Sequence, residues 1–262
     1  MPGLDEALLE LQELTRRLRR DCPWDREQTV RSIVPHTVEE AYEVADAANA
    51  QDDAKLLDEL GDLLFQVYFL ALLLEERGAG DLEQAARLIH DKLVRRHPHV
   101  FGEVEAETAG RVRENWEQIK RDQEGREGIF HDVPDSLPSL LLARKVQRRA
   151  AAIGFDYLQL PPVIEHLERE LAELVEIAVE PAPESEPDPR AVDEVGDVLF
   201  SAVNVARRLN VDPELALRQT AQKFVARVQR AEELAAADGA VWSELPLAEQ
   251  DHYYDLAKEE LR

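Results

Sequence analysis

The feature that most limits what this chain can fold into is an internal repeat. ELGDLLF at residues 59–65 returns as EVGDVLF at 194–200, an offset of 135. EEAYEV at 39–44 lies over RELAEL at 169–174 with an offset of 130, and a Pro-rich insertion in the second copy absorbs the difference. Lys92 and Arg96 match Lys223 and Arg227 at an offset of 131, and Trp116 and Lys120 match Tyr254 and Lys258 at 138. Leucine periodicity recurs readily in helical chains. An ordered series of acidic pairs, a basic pair and an aromatic–lysine pair does not. The chain therefore reads as two divergent copies of one module, each bound to fold as the other does.

The module is helical. Leu4, Leu8, Leu11, Leu14 and Leu18 recur at three- and four-residue intervals, the period of a buried helical stripe. CPWDREQT follows as an irregular segment in which Pro23 and Asp25 favour a turn. Pro35 fits the first turn of a helix reaching about Ala48. Asp52 and Asp53 suit the cap of the next helix, LLDELGDLLFQVYFLALLLEE, which Gly78 and Gly80 stop. Further helices are predicted over 82–96, 112–124, the LLLARKVQRRAAAIG stretch, 162–178, 190–208, 213–237 and 247–262. No stretch alternates with period two, so the fold class is all-α: two tandem, divergent helical-bundle modules. GREGIFHDVPDSLPSL, with two glycines and two prolines in sixteen residues, marks the boundary. It leaves an N-terminal module over 1–124, a linker over 125–140 and a C-terminal module over 141–262.

Charge narrows the function classes. Asp and Glu number 55 against 31 Lys and Arg, a formal net charge of -24. Such a surface repels a phosphodiester backbone, so no nucleic-acid polymer is expected as a partner. A single nucleotide held through a divalent cation is compatible with it, because local charge decides there. Cys22 is the sole cysteine, which excludes an intrachain disulfide and a cysteine metal cluster. MPGLDEALLELQELTRRLRR has no apolar signal core and no apolar run is long enough to span a bilayer. A cytoplasmic protein without membrane association is the expectation.

The acidic pairs carry the chemistry. Glu40 and Glu43 are three apart, so one helix presents both on nearly one face, and Glu59 and Asp62 repeat the spacing on the next helix. If the two helices pack antiparallel, four hard oxygen ligands converge on a volume suited to Mg2+ or Mn2+. Glu170, Glu173, Glu194 and Asp197 do the same in the second copy. Solvated helix faces are the bland alternative in so acidic a chain, but Glu59 and Asp62 run straight into LLFQVYFLALLL, which is too apolar to face water throughout. Gly61 and Gly196 are read as sites where a missing Cβ lets another helix approach the acidic layer. Lys92 with Arg96, and Lys223 with Arg227, are four apart and suited to phosphate oxygens. Trp116 with Lys120, and Tyr254 with Lys258, pair a ring for a base or sugar with a cation for phosphate. His97 and His99 lack the companions of a zinc set, and no GxxxxGK[ST] segment exists for a P-loop.

Taken together, CPWDREQT, EEAYEV, ELGDLLFQ, KLVRRHPHVFG, NWEQIK, ARKVQRRAAAIGFDY, EVGDVLF and the final helix resemble the two-domain MazG family over nearly the whole chain. These are nucleoside triphosphate pyrophosphohydrolases of the all-α NTP pyrophosphatase superfamily. The family's EExxE and ExxD pattern falls on Glu39, Glu40, Glu43, Glu59 and Asp62. The resemblance implies metal ligands Glu40, Glu43, Glu59 and Asp62 in the first copy, and Glu170, Glu173, Glu194 and Asp197 in the second. It implies Mg2+ as cofactor, with Mn2+ as a substitute, and a homodimer. The reaction it implies is hydrolysis of NTPs and dNTPs between the α and β phosphates to a nucleoside monophosphate and pyrophosphate, in nucleotide-pool house-cleaning. Catalysis is then expected mainly in the C-terminal copy, through Glu170, Glu173, Glu194, Asp197, Lys223 and Arg227. Lys223, Arg227 and Lys258 would take the outer phosphates and Tyr254 the nucleoside end, with Lys92, Arg96, Trp116 and Lys120 as N-terminal counterparts. Two positions depart from the pattern: Arg169 opens the second EExxE, and Tyr254 stands where the family usually has tryptophan. The rival readings are a dUTPase-like or diphosphate-tolerant hydrolase, and a non-enzymatic regulatory or scaffolding helical protein.

Overall fold

A computed structural model describes residues 3–102, 128–130, 133–134, 136–177 and 188–262. The regular elements among the described residues are all helices, and the chain divides into two compact units, Met1–Glu124 and Gly125–Arg262. The helix expected over 112–124, with Trp116 and Lys120, lies outside the described residues. No helix among them is long and apolar enough to cross a membrane.

The first unit contains α1 (Leu4–Asp21), α2 (Pro23–Glu27), α3 (Val30–Ala50), α4 (Asp53–Glu76), α5 (Leu82–Arg96) and α6 (Pro98–Phe101). Its centre is the α3–α4 hairpin. α3 starts at a capping box: the Thr29 hydroxyl accepts from the Ser32 amide at 3.2 Å, and Ser32 Oγ accepts from the Thr29 amide at 2.8 Å. That cap starts the helix before Pro35, so Pro35 falls inside it rather than in its first turn. CPWDREQT likewise is less irregular than expected, because Pro23 serves as the first residue of the short α2. Between α3 and α4 only Gln51 and Asp52 intervene. Gln51 takes the left-handed conformation at φ 56°, and Asp52 caps α4 by accepting from the Lys55 amide at 3.0 Å. So short a connection forces the helices antiparallel.

Ile33 of α3 and Phe69 and Leu73 of α4 form the buried core of this hairpin, flanked by Val30, Phe65 and Leu70. α1 docks on the far end of α4 through ion pairs, Arg16 to Glu75 at 2.7 Å and Arg19 to Glu76 at 2.8 Å. Arg19 also donates to the Gln28 carbonyl at 3.0 Å, tying the α2 turn to α4. The Arg19 hydrogen bond holds the Glu76 carboxyl below its ordinary range. This polar docking covers only part of the leucine stripe. Leu8, Leu11 and Leu18 are half-buried, Leu4 and Leu14 are exposed, and the buried residue of α1 is Thr15.

The second unit contains α7 (Ser139–Ala151), α8 (Leu160–Ile177), α9 (Pro189–Arg208), α10 (Pro213–Ala237), a 3-10 turn (Trp242–Glu244) and α11 (Leu247–Glu260). Here α8 and α9 form the counterpart of the α3–α4 hairpin. α9 and α10 each open with a capping Asp followed by Pro, Asp188–Pro189 and Asp212–Pro213. Gln147 of α7 donates to the Phe200 carbonyl at 2.8 Å, and Arg144 pairs with Asp212. Asp156, in the turn before α8, accepts from Arg207 at 2.6 Å and from Arg208 at 3.2 Å. Val163 and Val203 are buried between the hairpin helices and their neighbours, while Ala231, Ala235 and Ala257 let α10 and α11 pack closely.

The fold rests most heavily on Phe69, which is 1% exposed at the centre of the first hairpin. Phe69→Ala is expected to cost about 3–5 kcal/mol. Urea titration followed by circular dichroism checks this, the early transition arising from the first unit. A midpoint unchanged from the parent chain would contradict the core assignment.

Candidate metal centre

Helical period and the tight α3–α4 turn together bring the acidic pairs face to face. One carboxylate oxygen from each of Glu40, Glu43 and Glu59 lies within 4.8 Å of the others. Glu170 and Glu173 of α8 and Glu194 of α9 form the same arrangement in the second unit. Asp62 and Asp197 stand outside these triads, three residues further along, yet are close enough for their charges to act on them. Three of the four expected ligands thus converge in each copy, and the fourth sits beside them.

Burial and like-charge repulsion dominate the electrostatics of both groups. Burial, then the charges of Asp62, Glu43 and Glu59, push the Glu40 carboxyl up from its ordinary range. Glu59 is raised by burial first, then by the charge of Glu43 and a carboxyl–carboxyl hydrogen bond with it. Burial, then Glu173 and Asp197, raise Glu194. The Glu59 side chain is only 8% exposed, with Lys55 Nζ 3.7 Å away as its nearest cation. The Glu170 side chain is 12% exposed, and His166 Nδ1 lies 3.3 Å from it. A half-buried cluster of mutually repelling carboxylates, built from hard oxygen donors, fits Mg2+ or Mn2+.

A histidine stands one helical turn ahead of the acidic pair in each copy. The offset of 130 that aligns Glu40 with Glu170 also aligns His36 with His166, one helical turn ahead of each. Each ring meets an aromatic neighbour: Trp24 lies 5.9 Å from His36 in edge geometry, and Tyr157 lies 6.2 Å from His166. His36 faces Glu39 at 3.5 Å. In the second copy Arg169, the departure from EExxE, hydrogen-bonds His166 at 2.9 Å. The glycines need correction. A Cβ at Gly61 or Gly196 would meet nothing within 4 Å, and both residues are exposed, so neither allows a close approach inside its own unit.

The basic residues of the second unit lie on helices next to the carboxylates. Lys223 and Arg227 are on α10, which packs on α9 and on α11, the helix of Tyr254 and Lys258. The Phe224 and Tyr254 rings meet at a tilt of 46° with centroids 5.8 Å apart, which brings the aromatic end of α11 to the Lys223 segment. Arg230, on the same helix, pairs with Glu233 and Glu260 at 2.7 Å. Among the described residues Lys223, Arg227 and Lys258 form no ion pair. In the first unit Lys92 and Arg96 lie on α5, which packs on α4. His97 and His99 lie with rings 5.5 Å apart and belong to neither carboxylate group.

Comparison with known proteins gives a concordant result. The model of the MazG nucleotide pyrophosphohydrolase domain matches residues 28–101, the segment that contains the first acidic triad. The chain is 41% identical over 254 residues to the nucleoside triphosphate pyrophosphohydrolase/pyrophosphatase MazG of Thermotoga maritima, covering 95% of this chain and 94% of that protein. It is 39% identical over 256 residues to the nucleoside triphosphate pyrophosphohydrolase of Escherichia coli K12, covering 97% and 96%. An uncharacterized protein of Bacillus subtilis, YabN, is 36% identical over 240 residues, covering 91% of this chain and 48% of that protein.

The raised carboxyls set the sign of a pH and metal effect. A glutamate whose folded value exceeds its unfolded one destabilises the fold while charged. The penalty fades as pH falls through the raised value and is gone below the ordinary one. Glu59→Gln removes one such charge, so the metal-free variant should melt above the parent at pH 7, the gap closing toward pH 4. Mg2+ should stabilise the first unit of the parent but not that of the variant. Thermal melts with and without Mg2+ measure both. A variant that melts lower at pH 7 yet keeps the full Mg2+ effect would contradict the site.

Proposed function

The chain belongs to the MazG family, and from that premise we propose that it is a Mg2+-dependent hydrolase that cleaves NTPs and dNTPs between the α and β phosphates. The products are a nucleoside monophosphate and pyrophosphate. The observation that carries this reading is the duplicated triad, Glu40–Glu43–Glu59 and Glu170–Glu173–Glu194, each with an aspartate beside it. A divalent cation held there supplies charge neutralisation for the polyphosphate and activates water for attack at the α phosphorus. The protein's own part is positional. Glu40, Glu43, Glu59 and Asp62, or Glu170, Glu173, Glu194 and Asp197, fix the cation side of the substrate. Lys223, Arg227 and Lys258, which form no ion pair among the described residues of a chain of net charge -24, suit the outer phosphates. Tyr254, backed by Phe224, offers a face to the nucleoside. Lys92, Arg96, Trp116 and Lys120 take the same roles in the N-terminal module.

The modules are taken as 1–124 and 141–262, joined by a linker over 125–140, with most turnover in the C-terminal one. A cytoplasmic homodimer engaged in nucleotide-pool cleansing completes the reading. What supports the dimer is an exposed apolar stripe on the hairpin helices: Leu57, Leu60 and Leu64 on α4 recur as Val192, Val195 and Leu199 on α9. By helical period each stripe lies opposite the carboxylates of its own helix.

Product analysis on a panel of nucleoside tri- and diphosphates tests the reaction. Pyrophosphate and monophosphate should appear with Mg2+ and not without it, whereas inorganic phosphate as the first product would overturn it. Asp197→Asn should lower turnover by at least about tenfold, the scale reached even by outer partners of metal ligands, and by more than Asp62→Asn does. The reverse order would place most catalysis in the N-terminal module. Light scattering of the parent and of Leu60→Asp tests the dimer, and a parent that stays monomeric at every concentration would sink it.

A further inference from the structure

Gln66 is the one strongly buried amide on the carboxylate face of α4. Glu59, Asp62 and Gln66 stand at i, i+3 and i+7, so helical period puts all three on one face, with Gln66 a single turn beyond Asp62. The residue is 8% exposed, and its Oε1 is buried without any hydrogen-bond partner. An amide acceptor left dry and unpaired is destabilising, and such an atom beside a site asks what donor it is kept for. The neighbouring layers narrow the answer. Toward the hairpin core lie Phe69, Leu73 and Ile33, which offer no side-chain donor. In the other direction lies the acidic layer, whose side chains are acceptors when ionised. On α3 the donors between Ile33 and Glu40 are engaged elsewhere, the Thr37 hydroxyl with the Ile33 carbonyl at 3.3 Å and His36 with Glu39 at 3.5 Å. Among the described residues none reaches Gln66 Oε1, and a ligand hydroxyl can supply the donor.

We propose that Gln66 is a substrate-binding residue of the N-terminal module, its Oε1 accepting a hydrogen bond from the 3′-hydroxyl of a nucleotide whose phosphates sit at the Glu40–Glu43–Glu59–Asp62 layer. This rests on the nucleotide-hydrolase reading and adds a contact to it. Distance selects the hydroxyl: one helical turn is about 5.4 Å, the reach from an α phosphate to the pentose, whereas the base edge lies further out. The terminal torsion of glutamine is broad, so the amide can turn toward the acidic layer at little cost. A 3′-hydroxyl is common to ribo- and deoxyribonucleotides and independent of the base, so this contact selects nucleotides as a class. The second module lacks it. Ser201, 3% exposed, occupies the corresponding position at the 135 offset, and its side chain is too short for the same reach. The two copies thus differ in how they hold the sugar.

The test is calorimetric binding of α,β-methylene ATP and of its 3′-deoxy counterpart, with Mg2+, to the full chain carrying Glu194→Gln, which disables the second site. The 3′-deoxy ligand should bind about tenfold more weakly or worse. Gln66→Met, of similar volume, should bring the two affinities within about twofold by weakening the parent ligand alone. Gln66→Glu, which keeps an acceptor, should retain the gap. Equal affinity of the two ligands with Gln66 intact overturns the proposal without any substitution at Gln66, as does a Gln66→Met chain that weakens both alike. If the Glu194→Gln chain binds no nucleotide while the parent does, the proposal fails and the hydrolase reading stands on the C-terminal module. If the parent binds none, the hydrolase reading itself fails.

Discussion

Carboxylates repel, and the rest of the structure is arranged around two places where they are nevertheless held together. In each unit a hairpin of long helices brings three glutamates within 4.8 Å, with a fourth acid next to them. Burial and mutual repulsion both raise the Glu40, Glu59 and Glu194 carboxyls, so holding them together costs stability. Such a cluster survives only where apolar packing elsewhere outweighs it. In the first unit that packing is the Ile33–Phe69–Leu73 core, on the same two helices. The Gln51–Asp52 turn fixes the register between them, and the Arg19–Glu76 pair anchors the far end. Stability and chemistry therefore occupy the same hairpin, with the core at one end and the acids toward the other.

Most of this was legible in the sequence, because spacing and repetition are both statements about helical geometry. Three-apart acids must share a face, and two copies of the same order make accident an inadequate explanation. The convergence of Glu40 with Glu43 and Glu59 followed from that and from the tight turn. What escaped was set by tertiary context. Thr29 and Ser32 begin α3 before Pro35, a local hydrogen-bond exchange that outweighs the usual preference of proline for a first turn. Gly61 and Gly196 were expected to admit a neighbouring helix and instead face open space. They lie among the apolar residues opposite the acids, where sequence alone does not distinguish core from surface. His36 and His166 share the same offset, but their aromatic neighbours come from tertiary packing that sequence does not show. Gln66 was hidden inside LLFQVYFLALLL, which reads as one apolar block.

The two copies share their acids but differ in the groups around them. The first tempers Glu59 with Lys55, and the second places His166 against Glu170 and braces His166 with Arg169. In the first unit the clasp at the hairpin's end sets an arginine before the hairpin against a glutamate on it. In the second an aspartate before the hairpin faces arginines on it. Duplication followed by such divergence keeps the acidic geometry and frees its surroundings to specialise.

The central claim is that these acids are cation ligands and not merely crowded surface charges. It is tested most directly by titrating the protein with Mn2+ and following the free-ion signal by electron paramagnetic resonance. The account predicts that the parent chain binds Mn2+ at both modules. Glu59→Gln should remove one part of that binding, Glu194→Gln the other, and the double variant all of it, each variant keeping its helical circular dichroism. A folded double variant that still binds Mn2+ as the parent does would contradict the account at its root.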